Sequence, residues 1–470
     1  MSESLAIAIT LILYKLVLVG IGLIANRRTH DTADFFLGGR QLGPWVAAIS
    51  ASASSSSAWT LLGVSGAAYS WGLGAFWLFP ACFAGFIINW YFLGPRLRRL
   101  SHDDGSLTVT DVLAGPPGSR GSSAIRWVCT AIVLISLLAY VAAQFQGAGK
   151  TFHQTFDMSM PAAIGLGGGI IVLYTLLGGF WAVSITDTLQ GLVMAAAAII
   201  VPLAALVAVG GPGPLMASLG DVSVDGYTSF VRGMPTAAAI GFVVGLLGIG
   251  LGYPGQPHVV NRFMAVRDEH SLVRGRAIAI GWAVVMYTGM LVVGWCARAL
   301  LPPLADAEVA FIETTRSLLP PMVAGVMIAA VLSAVMSTAD SQLLVAASSV
   351  AHDLRGEDPE AGKQPPLART RIVVVLLSAI AIGLALWGSK EIFSRVLFAW
   401  TAMGSAFGPL LLVRVSAGAV RPGARLASIV LGFSLSVAAY SIEGMAGGPW
   451  ERVVPFAVAL AVAWWGRERT

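Results

Sequence analysis

Apolar runs long enough to cross a bilayer recur along the whole of this 470-residue chain. A spanning helix needs about 20 apolar residues, and hydrocarbon offers no hydrogen-bond partner, so only helices and closed barrels cross it. Only 11% of the residues are charged, against about 25% in soluble domains. The pattern predicts an all-α polytopic membrane protein, with about 13 transmembrane helices that begin near residues 4, 44, 74, 124, 160, 184, 235, 270, 320, 368, 390, 423 and 448.

The rest of the sequence narrows the function classes. No hydrophilic stretch is long enough to fold alone, and the longest polar loop runs from about residue 352 to 371. The first apolar run contains Lys15 and no convincing cleavage site, so it is predicted to be a spanning helix rather than a signal peptide. The 3 cysteines have unrelated spacing, which favours neither a disulfide framework nor a metal site. Phosphate-binding loops, nucleophile elbows and HExxH motifs are missing, so we expect neither an enzyme nor a cofactor.

The distribution of positive charge predicts the orientation. With the N-terminus outside, 21 of the 29 Lys and Arg residues, Arg262 among them, fall on the cytoplasmic side. Positive residues accumulate there by the positive-inside rule. We therefore expect a multi-pass protein of the cytoplasmic (inner) membrane, with the N-terminus outside and the C-terminus in the cytoplasm. The net charge of +5 is explained by orientation, and no nucleic-acid partner is expected.

Two spans contain sequences that interrupt a helix. The stretch Ile49–Gly66 begins with six serines in nine residues. Either the serines serve close helix packing, or the helix opens so that carbonyls and hydroxyls hold a cation. The stretch Gly241–Pro257 combines repeated glycines with Pro254 and Pro257, which weaken a helix and remove backbone donors. Counted from the second span, the two breaks are first and sixth, a pattern typical of inverted five-helix repeats with a midplane substrate site.

Polar residues form clusters in three other spans. Tyr140, Gln144 and Gly147 share one helix face, as a binding surface or an internal packing cluster. Asp187 is either a functional carboxylate within the membrane or the cap of its helix. In the span near residue 320, polar and small residues share an arc of about 160° around the helix. This face forms either one side of a cation site or a surface for close helix packing. Its members are Ser333, Ala334, Ser337, Thr338, Asp340 and Ser341.

Four motifs resemble the sodium/solute symporter family, and its bacterial sodium/proline branch most of all. They are Gly38–Trp45 leading into the serine stretch, Trp181–Gln190, Gly250–Met264 and Leu332–Val345. The resemblance covers the chain to about residue 415. It implies thirteen spans in a LeuT-type core of inverted five-helix repeats with the first and sixth core helices broken. We expect one transporter domain, with an extra helix at 4–25, repeats at 44–209 and 235–416, and two final helices at 423–466.

The resemblance also implies two ion sites and a solute site. The family's sodium site would fall on Ala53, Ser56, Ala334, Ser337 and Thr338. A second cation or proton site, present in some relatives, would involve Ser337 again, together with Asp187, Asp340 and Ser341. Solute contacts would fall on Ser57, Ala58, Trp59, Tyr140, Tyr253 and Pro257, and we add Gln144 because it shares the face of Tyr140.

The chain departs from the pattern of proline carriers within these sites. Ser55 stands where such carriers have aspartate, Ile249 where they have tryptophan, and Ala58 where they have glycine. Conversely, Asp340 replaces a serine. We therefore hypothesise that negative charge has moved from the position of Ser55 to Asp340, beside Asp187.

The predicted function is a sodium-coupled secondary active symporter that imports a small organic solute. Proline or a related amino acid is the first expectation, and sodium is the one metal ion expected. Two alternatives stay open: a proton-coupled or dual-ion symporter of another solute, in which Asp187 and Asp340 share a proton, and a membrane sensor derived from such a transporter. The expected partners are the solute, sodium and the lipid bilayer, and the oligomeric state is not predicted.

Overall fold

The structure, a computed structural model, describes residues 3–26, 37–116, 118–177, 179–355, 367–388 and 391–468. Most of the polar loop near 352–371 lies outside these ranges. So do several residues that entered the assignment of orientation: Arg27, Arg28, Lys363, Lys390 and Arg469.

The described chain is helical almost throughout. In its first half the α-helices are α1 (Glu3–Asn26), α2 (Pro44–Ser55), α3 (Ser65–Trp71), α4 (Leu78–Ile87), α5 (Gly94–Asp103), α6 (Val109–Ala114), α7 (Ser122–Phe156), α8 (Met160–Leu177), α9 (Phe180–Val209) and α10 (Pro212–Gly220). Short 3-10 turns lie at Gly38–Arg40 and Gly72–Trp77, and π-helical turns at Trp59–Val64 and Ile88–Leu93.

The second half of the chain is likewise built from α-helices joined by short helical turns. Its α-helices are α11 (Thr236–Leu247), α12 (Pro257–Ala265), α13 (Glu269–Leu300), α14 (Ala310–Leu318), α15 (Pro321–Ala351), α16 (Leu367–Trp387), α17 (Ile392–Ala417), α18 (Pro422–Ser441), α19 (Pro449–Arg452) and α20 (Val454–Trp465). Further 3-10 turns lie at Gly248–Gly255, Ala307–Val309 and Asp353–Arg355.

Within the described ranges, ten helical runs are long and apolar enough to cross a membrane, and Met160–Leu176 is a shorter apolar helix. One of the ten, Trp59–Asp103, contains a reversal at Gly72, whose φ of 59° lies in the left-handed region. A Cβ on Gly72 would lie 2.0 Å from the carbonyl oxygen of Tyr227, so glycine is required there. This run therefore includes parts of two predicted spans, and the count of thirteen crossings stays a prediction.

Both predicted helix breaks are confirmed. Helix α2 ends at Ser55, because Ser56 has φ −103° and ψ 77°, and helical geometry resumes at Ala58. Helix α11 tightens into the 3-10 turn Gly248–Gly255, and Gln256, with φ −97° and ψ 98°, separates this turn from α12. The six serines from Ser50 to Ser57 are all buried, as expected of a helix that does not face lipid.

Helix α15 is the centre of the bundle. It packs against α7, α9, α1 and α2, and nearly every residue from Ala324 to Ser349 is buried. Helix α17 packs along the 3-10 turn Gly248–Gly255 at glycine-to-glycine contacts. A Cβ on Gly404 would lie 2.5 Å from the Cα of Gly252, and one on Gly255 would lie 2.6 Å from the Cα of Gly404. The second break is therefore held by backbone packed directly on backbone.

We predict that Gly404→Ala destabilises the protein, because the added methyl meets backbone atoms that a rotamer change does not move. Overpacking of this kind costs about 1–3 kcal/mol. Thermal unfolding of the purified protein in detergent measures the loss. Gly281→Ala in α13 is the control, since a Cβ there meets no atom within 4 Å. Equal unfolding midpoints for the two variants would contradict the packing argument.

Candidate functional site

Oxygen atoms from α2 and α15 converge at the first break. The Ser337 hydroxyl donates to the carbonyl of Ala53 at 3.3 Å and lies 3.3 Å from the carbonyl oxygen of Ala334. The Thr338 hydroxyl donates to the carbonyl of Ser54 at 3.1 Å. All of these residues are fully buried. Uncharged oxygens in this arrangement suit a hard monovalent cation, which needs its hydration shell replaced.

The predicted sodium-site residues therefore largely meet in space. Ala53, Ala334, Ser337 and Thr338 lie together, and Ser56 follows Ala53 within the break. The hydroxyl of Ser56 accepts the indole N–H of Trp282 on α13 at 3.1 Å, which ties a third helix to the break.

Asp187 is part of a buried ion pair with Arg262. The guanidinium Nη2 lies 2.8 Å from Asp187 Oδ2, and the two side chains are 2% and 0% exposed. Hydroxyls of Ser50 and Ser54 also donate to Oδ2, at 2.9 and 3.3 Å. A charge at this depth persists because an opposite charge and further hydrogen bonds compensate its lost hydration.

This ion pair corrects two sequence-based expectations. Arg262 was counted among cytoplasmic loop residues, which is wrong: it lies on α12 in the core. The alternative that Asp187 caps its helix is also wrong, because α9 begins at Phe180 and Asp187 lies two turns inside it.

Asp340 lies beside this pair with one oxygen engaged. Its Oδ1 accepts the N–H of Ser341 at 2.6 Å, and its Oδ2 has no hydrogen-bond partner among the described residues. The Ser341 hydroxyl lies 3.1 Å from that of Ser54 and accepts from Arg262 at 2.6 Å. The residues predicted as a second cation or proton site are therefore brought together, but with Arg262 among them.

The residues predicted to bind solute surround the chain segment just after the break. The Tyr140 hydroxyl donates to that of Ser57 at 3.1 Å, and Gln144 Oε1 accepts the N–H of Ala58 at 3.0 Å. Ala58 fits because its neighbour is glycine: a Cβ on Gly147 would lie 2.7 Å from the Cβ of Ala58. The alternative was an internal packing cluster, in which each polar group finds a partner within the protein. It does not describe Gln144, whose buried Nε2 has no partner among the described residues.

We call the surroundings of this segment the proposed solute pocket, and aromatic rings from other helices border it. Tyr253 packs edge-on against Trp400 with centroids 4.7 Å apart, and its hydroxyl lies 2.8 Å from that of Tyr287. Trp400 also packs against Tyr140 at 6.4 Å. Pro257 begins α12 directly after the second break. The rings give the pocket an apolar wall with polar tips.

Phe393 covers one end of the pocket. Its ring lies 5.6 Å from that of Trp59 and 5.1 Å from that of Trp71. Glu308 anchors this end of α17 by accepting the N–H groups of Ile392 and Phe393 at 3.1 and 2.7 Å. Lys150 of α7 pairs with the same carboxylate at 2.5 Å. A narrow crevice lies on another side of the core, lined by Phe180, Val183, Asn261, Arg262, Ser341, Leu344, Val345 and Ser348.

Sequence reasoning missed several of these residues. Trp400 and Tyr287 carry no local signal, since an aromatic residue in an apolar run is ordinary. His258, which is buried with its ring centroid 6.0 Å from that of Tyr140, is a further residue to which the sequence assigned no role. Arg262 had a usable signal, because it follows the second break at a distance of only five residues from Pro257.

Comparison with known proteins agrees with this geometry. The family model described as "Sodium:solute symporter family" matches residues 35–432. The sodium/proline symporter of Escherichia coli (strain K12) is 33% identical over 95% of this chain and 90% of its own length. The high-affinity proline transporter PutP of Bacillus subtilis (strain 168) is 32% identical over 94% of this chain and 93% of its own length.

The chain belongs to the sodium:solute symporter family. A solved structure of a substrate-bound, outward-open Na+-coupled sialic acid symporter superposes with a TM-score of 0.80. It covers 98% of this chain and 97% of its own, at 16% sequence identity, and therefore speaks to the fold alone. The present chain itself has the LeuT-type fold, in which the first and sixth core helices are broken, and it is a multi-pass membrane protein.

An ionic cluster in this symporter joins the Ala351 end of α15 to α6 and α7. Asp111 accepts from Arg126 at 2.6 Å and from the N–H of Thr108 at 3.0 Å, and its Oδ2 lies 3.4 Å from His352 Nε2. The Thr108 hydroxyl donates to Asp353 at 2.9 Å. The ligand atoms of Asp111, His352 and Asp353 lie within 4.8 Å of one another, but Asp111 is already engaged by Arg126 and backbone amides. We call Asp111, Arg126, His352 and Asp353 the latch, because they join the end of α15 to α6 and α7.

The latch predicts a pH dependence of stability. Burial alone would lower the pKa of His352, but the hydrogen bond and charge of Asp111 raise it above its ordinary value. Burial likewise opposes ionisation of Asp111, yet His352 and Arg126 hold the pKa of that carboxyl well below its usual range. His352 therefore stabilises the fold fully below its unfolded pKa of about 6.5, and this contribution is lost as pH rises through the raised folded value.

We predict that His352→Gln removes a falling component from the stability–pH profile, one that begins near the unfolded histidine pKa of about 6.5 and continues as pH rises. The wild-type unfolding midpoint should fall relative to the variant as pH rises above this value, because glutamine keeps a hydrogen bond but carries no charge. Thermal unfolding in detergent at several pH values measures the difference. Parallel profiles would show that the imidazole charge does not hold the latch.

Proposed function

We propose that this symporter imports proline, or a closely related small amino acid, across the cytoplasmic membrane together with sodium. One observation carries the proposal: the oxygen wall and the aromatic pocket meet at the same break, Ser56–Ala58. A cation bound to the carbonyl of Ala53 and a solute bound beside Ala58 would share this break. Each would therefore order backbone that the other needs, a reciprocal coupling free energy. The names of the two relatives supply sodium and proline as the first candidates.

The sodium site in this proposal consists of Ala53, Ser56, Ala334, Ser337 and Thr338. Carbonyl and hydroxyl oxygens carry no formal charge, so bound sodium keeps its single positive charge and responds to the membrane potential. One charge moving through 100 mV releases about 2.3 kcal/mol. A tenfold sodium gradient adds about 1.4 kcal/mol, and together they sustain roughly 500-fold accumulation of a neutral solute.

The solute site consists of Ser57, Ala58, Trp59, Tyr140, Gln144, Tyr253 and Pro257, with Trp400 added from the structure. A pyrrolidine ring would pack against the faces of Tyr140 and Tyr253. Two buried donors have no partner among the described residues, Gln144 Nε2 and Trp59 Nε1. They suit a carboxylate, which accepts several hydrogen bonds. Among the described residues, the set assigned to this pocket contains no acidic side chain, so a zwitterion fits better than a cation.

The transport cycle in this proposal alternates between the two ends of the pocket. Phe393, Trp59 and Trp71 close the end anchored by Glu308, and the crevice beside Arg262 and Ser341 marks the other path. With the N-terminus outside, the first end faces the exterior and the crevice faces the cytoplasm. The repeats at 44–209 and 235–416 would supply the elements that move against one another.

Uptake into proteoliposomes, measured against a panel of labelled solutes, tests the proposal. Sodium and proton gradients are imposed separately, at zero and at negative membrane potential. Proline uptake driven by sodium alone supports it. Uptake driven by protons alone favours the proton-coupled alternative, and binding without uptake favours the sensor.

We predict that Ser337→Ala and Thr338→Ala each raise the sodium concentration needed for half-maximal uptake, by about 10-fold. Each removes one oxygen ligand, and a lost hydrogen-bond-like contact to a cation is worth about 1.4 kcal/mol or more. Thr315→Ala in α14 is the matched control, because its buried hydroxyl bonds to the carbonyl of Phe311 in its own turn. Wild-type sodium dependence in both site variants would refute the assignment.

We predict that Gln144→Ala weakens solute affinity about 10-fold and changes sodium affinity much less. The substitution removes both the acceptor for the Ala58 N–H and the free amide donor, and each buried hydrogen bond contributes about 1 kcal/mol. Gln146→Ala is the control on the same helix, since Gln146 donates to the carbonyl of Ala385 instead. Competition by unlabelled amino acids gives the comparison. Unchanged competition profiles in Gln144→Ala would place the pocket elsewhere.

A further inference from the structure

We propose that Lys15, on the peripheral helix α1, is the built-in counter-ion of Asp340. The ammonium group then supplies the charge that a second sodium ion would otherwise bring to this part of the core. The ion pair itself stands independently of the transported solute. The consequence for stoichiometry rests on the proposed sodium coupling.

Lys15 is a charged residue in the middle of an apolar helix. Such residues are costly in a membrane and generally pair with another charge or with backbone carbonyls. The ammonium of Lys15 contacts the thioether of Met336 and lies 5.4 Å from the ring centroid of Tyr14. The side chain of Lys15 is partly buried, and a thioether is a weak acceptor, so this contact does not compensate the positive charge.

The surroundings of Lys15 on its other side offer nothing better. The groove that it lines is otherwise wholly apolar, with walls from Leu11, Leu16, Phe152, Ile170 and Leu332 among others. A partner for the ammonium must therefore come from α15.

Helix α1 packs along one face of α15, and successive residues of the two helices contact each other. Gly325 allows close approach, since a Cβ there would lie 3.1 Å from the Cα of Ile7. Further along, the hydroxyls of Tyr14 and Ser333 are 2.6 Å apart. Ser333, Met336 and Asp340 are spaced i, i+3 and i+7, so they share the face that α1 covers. Asp340 is one turn, about 6 Å, beyond the Met336 that Lys15 already contacts.

Asp340, in turn, carries a carboxylate oxygen that lacks a partner. Its side chain is 0% exposed, and its Oδ2 lacks a hydrogen-bond partner within the described part of the chain. A lysine side chain is long and has four rotatable carbons, so a rotamer change carries the ammonium along the face to Oδ2. An unsatisfied cation and an unsatisfied carboxylate thus lie one turn apart on one face.

The pairing balances the charge of the core. Arg262 pairs with buried Asp187, and under the proposal the partly buried Lys15 is the counter-ion of buried Asp340, so two positive groups oppose two negative ones. Under this assignment the hypothesis that a negative charge moved from Ser55 to Asp340 is incomplete, because Lys15 accompanies the aspartate. A sodium ion added beside Asp340 would bring an uncompensated positive charge, which a low-dielectric core disfavours.

A double-mutant cycle on the purified protein tests the ion pair without any assumption about transport. Lys15→Met and Asp340→Asn should each lower the thermal unfolding midpoint, because each leaves one buried charge alone. The double variant should recover at least half of the larger loss. Lys15→Met combined with Asp187→Asn is the control, and its losses should add. Additive losses in the Lys15–Asp340 cycle overturn the proposal.

The cycle remains decisive if a single variant does not fold. In that case the yield of monodisperse protein is the measure. Recovery of that yield by the double variant supports the pair, and loss in all three variants overturns it. Lys15→Arg, which keeps the charge, should give a wild-type yield.

Sodium stoichiometry tests the consequence. The wild type should show a sodium Hill coefficient of about 1 and one charge moved per neutral solute, since a single site lacks internal cooperativity. Lys15→Met should raise the Hill coefficient above that of the wild type, because Asp340 then needs an external cation. A wild-type sodium Hill coefficient near 2, or the movement of two charges per neutral solute, overturns this consequence. Failure of all sodium-driven uptake would refute the proposed function and leave the result of the unfolding cycle standing.

Discussion

The constraint on which this structure depends is that a helix broken inside a membrane must find new partners for its backbone groups. At the first break the carbonyls of Ala53 and Ser54 are met by hydroxyls of Ser337 and Thr338. The N–H of Ala58 is met by Gln144. Helices α15 and α7 therefore lie where they do because they carry the groups that α2 lacks. The proposed binding site lies at the same place, because a cation or a solute would take over part of this pairing.

The second break is stabilised differently, by close approach more than by hydroxyls. Glycines let α17 and α4 touch the backbone of the 3-10 turn directly, and a Cβ on Gly250 would lie 2.4 Å from the carbonyl oxygen of Ala81. Side-chain donors complete the pairing: Trp400 donates to the carbonyl of Ile249 and Asn89 to that of Tyr253, both at 3.1 Å. Each break is thus bound to at least two continuous helices. Any opening of the pocket must move these helices along with the broken segments.

The sequence predicts the features that a local pattern encodes. Serine density and the Gly–Pro run mark the two breaks, and the spacing of Ser337 and Thr338 predicts the wall on α15. Partners that lie far apart in the sequence leave no such pattern. Arg262 pairs with a residue 75 positions away, and Lys15 contacts one 321 positions away. In sequence, Arg262 resembles the basic residues that anchor a helix at the membrane surface, and Lys15 shows only that an apolar run contains one charge. Only the tertiary packing distinguishes an arginine at the interface from one that neutralises a buried aspartate.

Charge balance then connects the fold to the proposed transport. The proposed sodium site is built from neutral oxygens, and a zwitterionic amino acid would add no net charge to the proposed pocket. If the core is also balanced, with Arg262 and Lys15 opposing Asp187 and Asp340, sodium is the one uncompensated charge in the loaded protein. The membrane potential would then act on sodium alone, at about 2.3 kcal/mol per 100 mV. An unpaired Asp340 would instead make the empty protein carry a negative charge, and the same potential would act on its return step. The lysine on α1 therefore determines which half of the transport cycle the voltage drives.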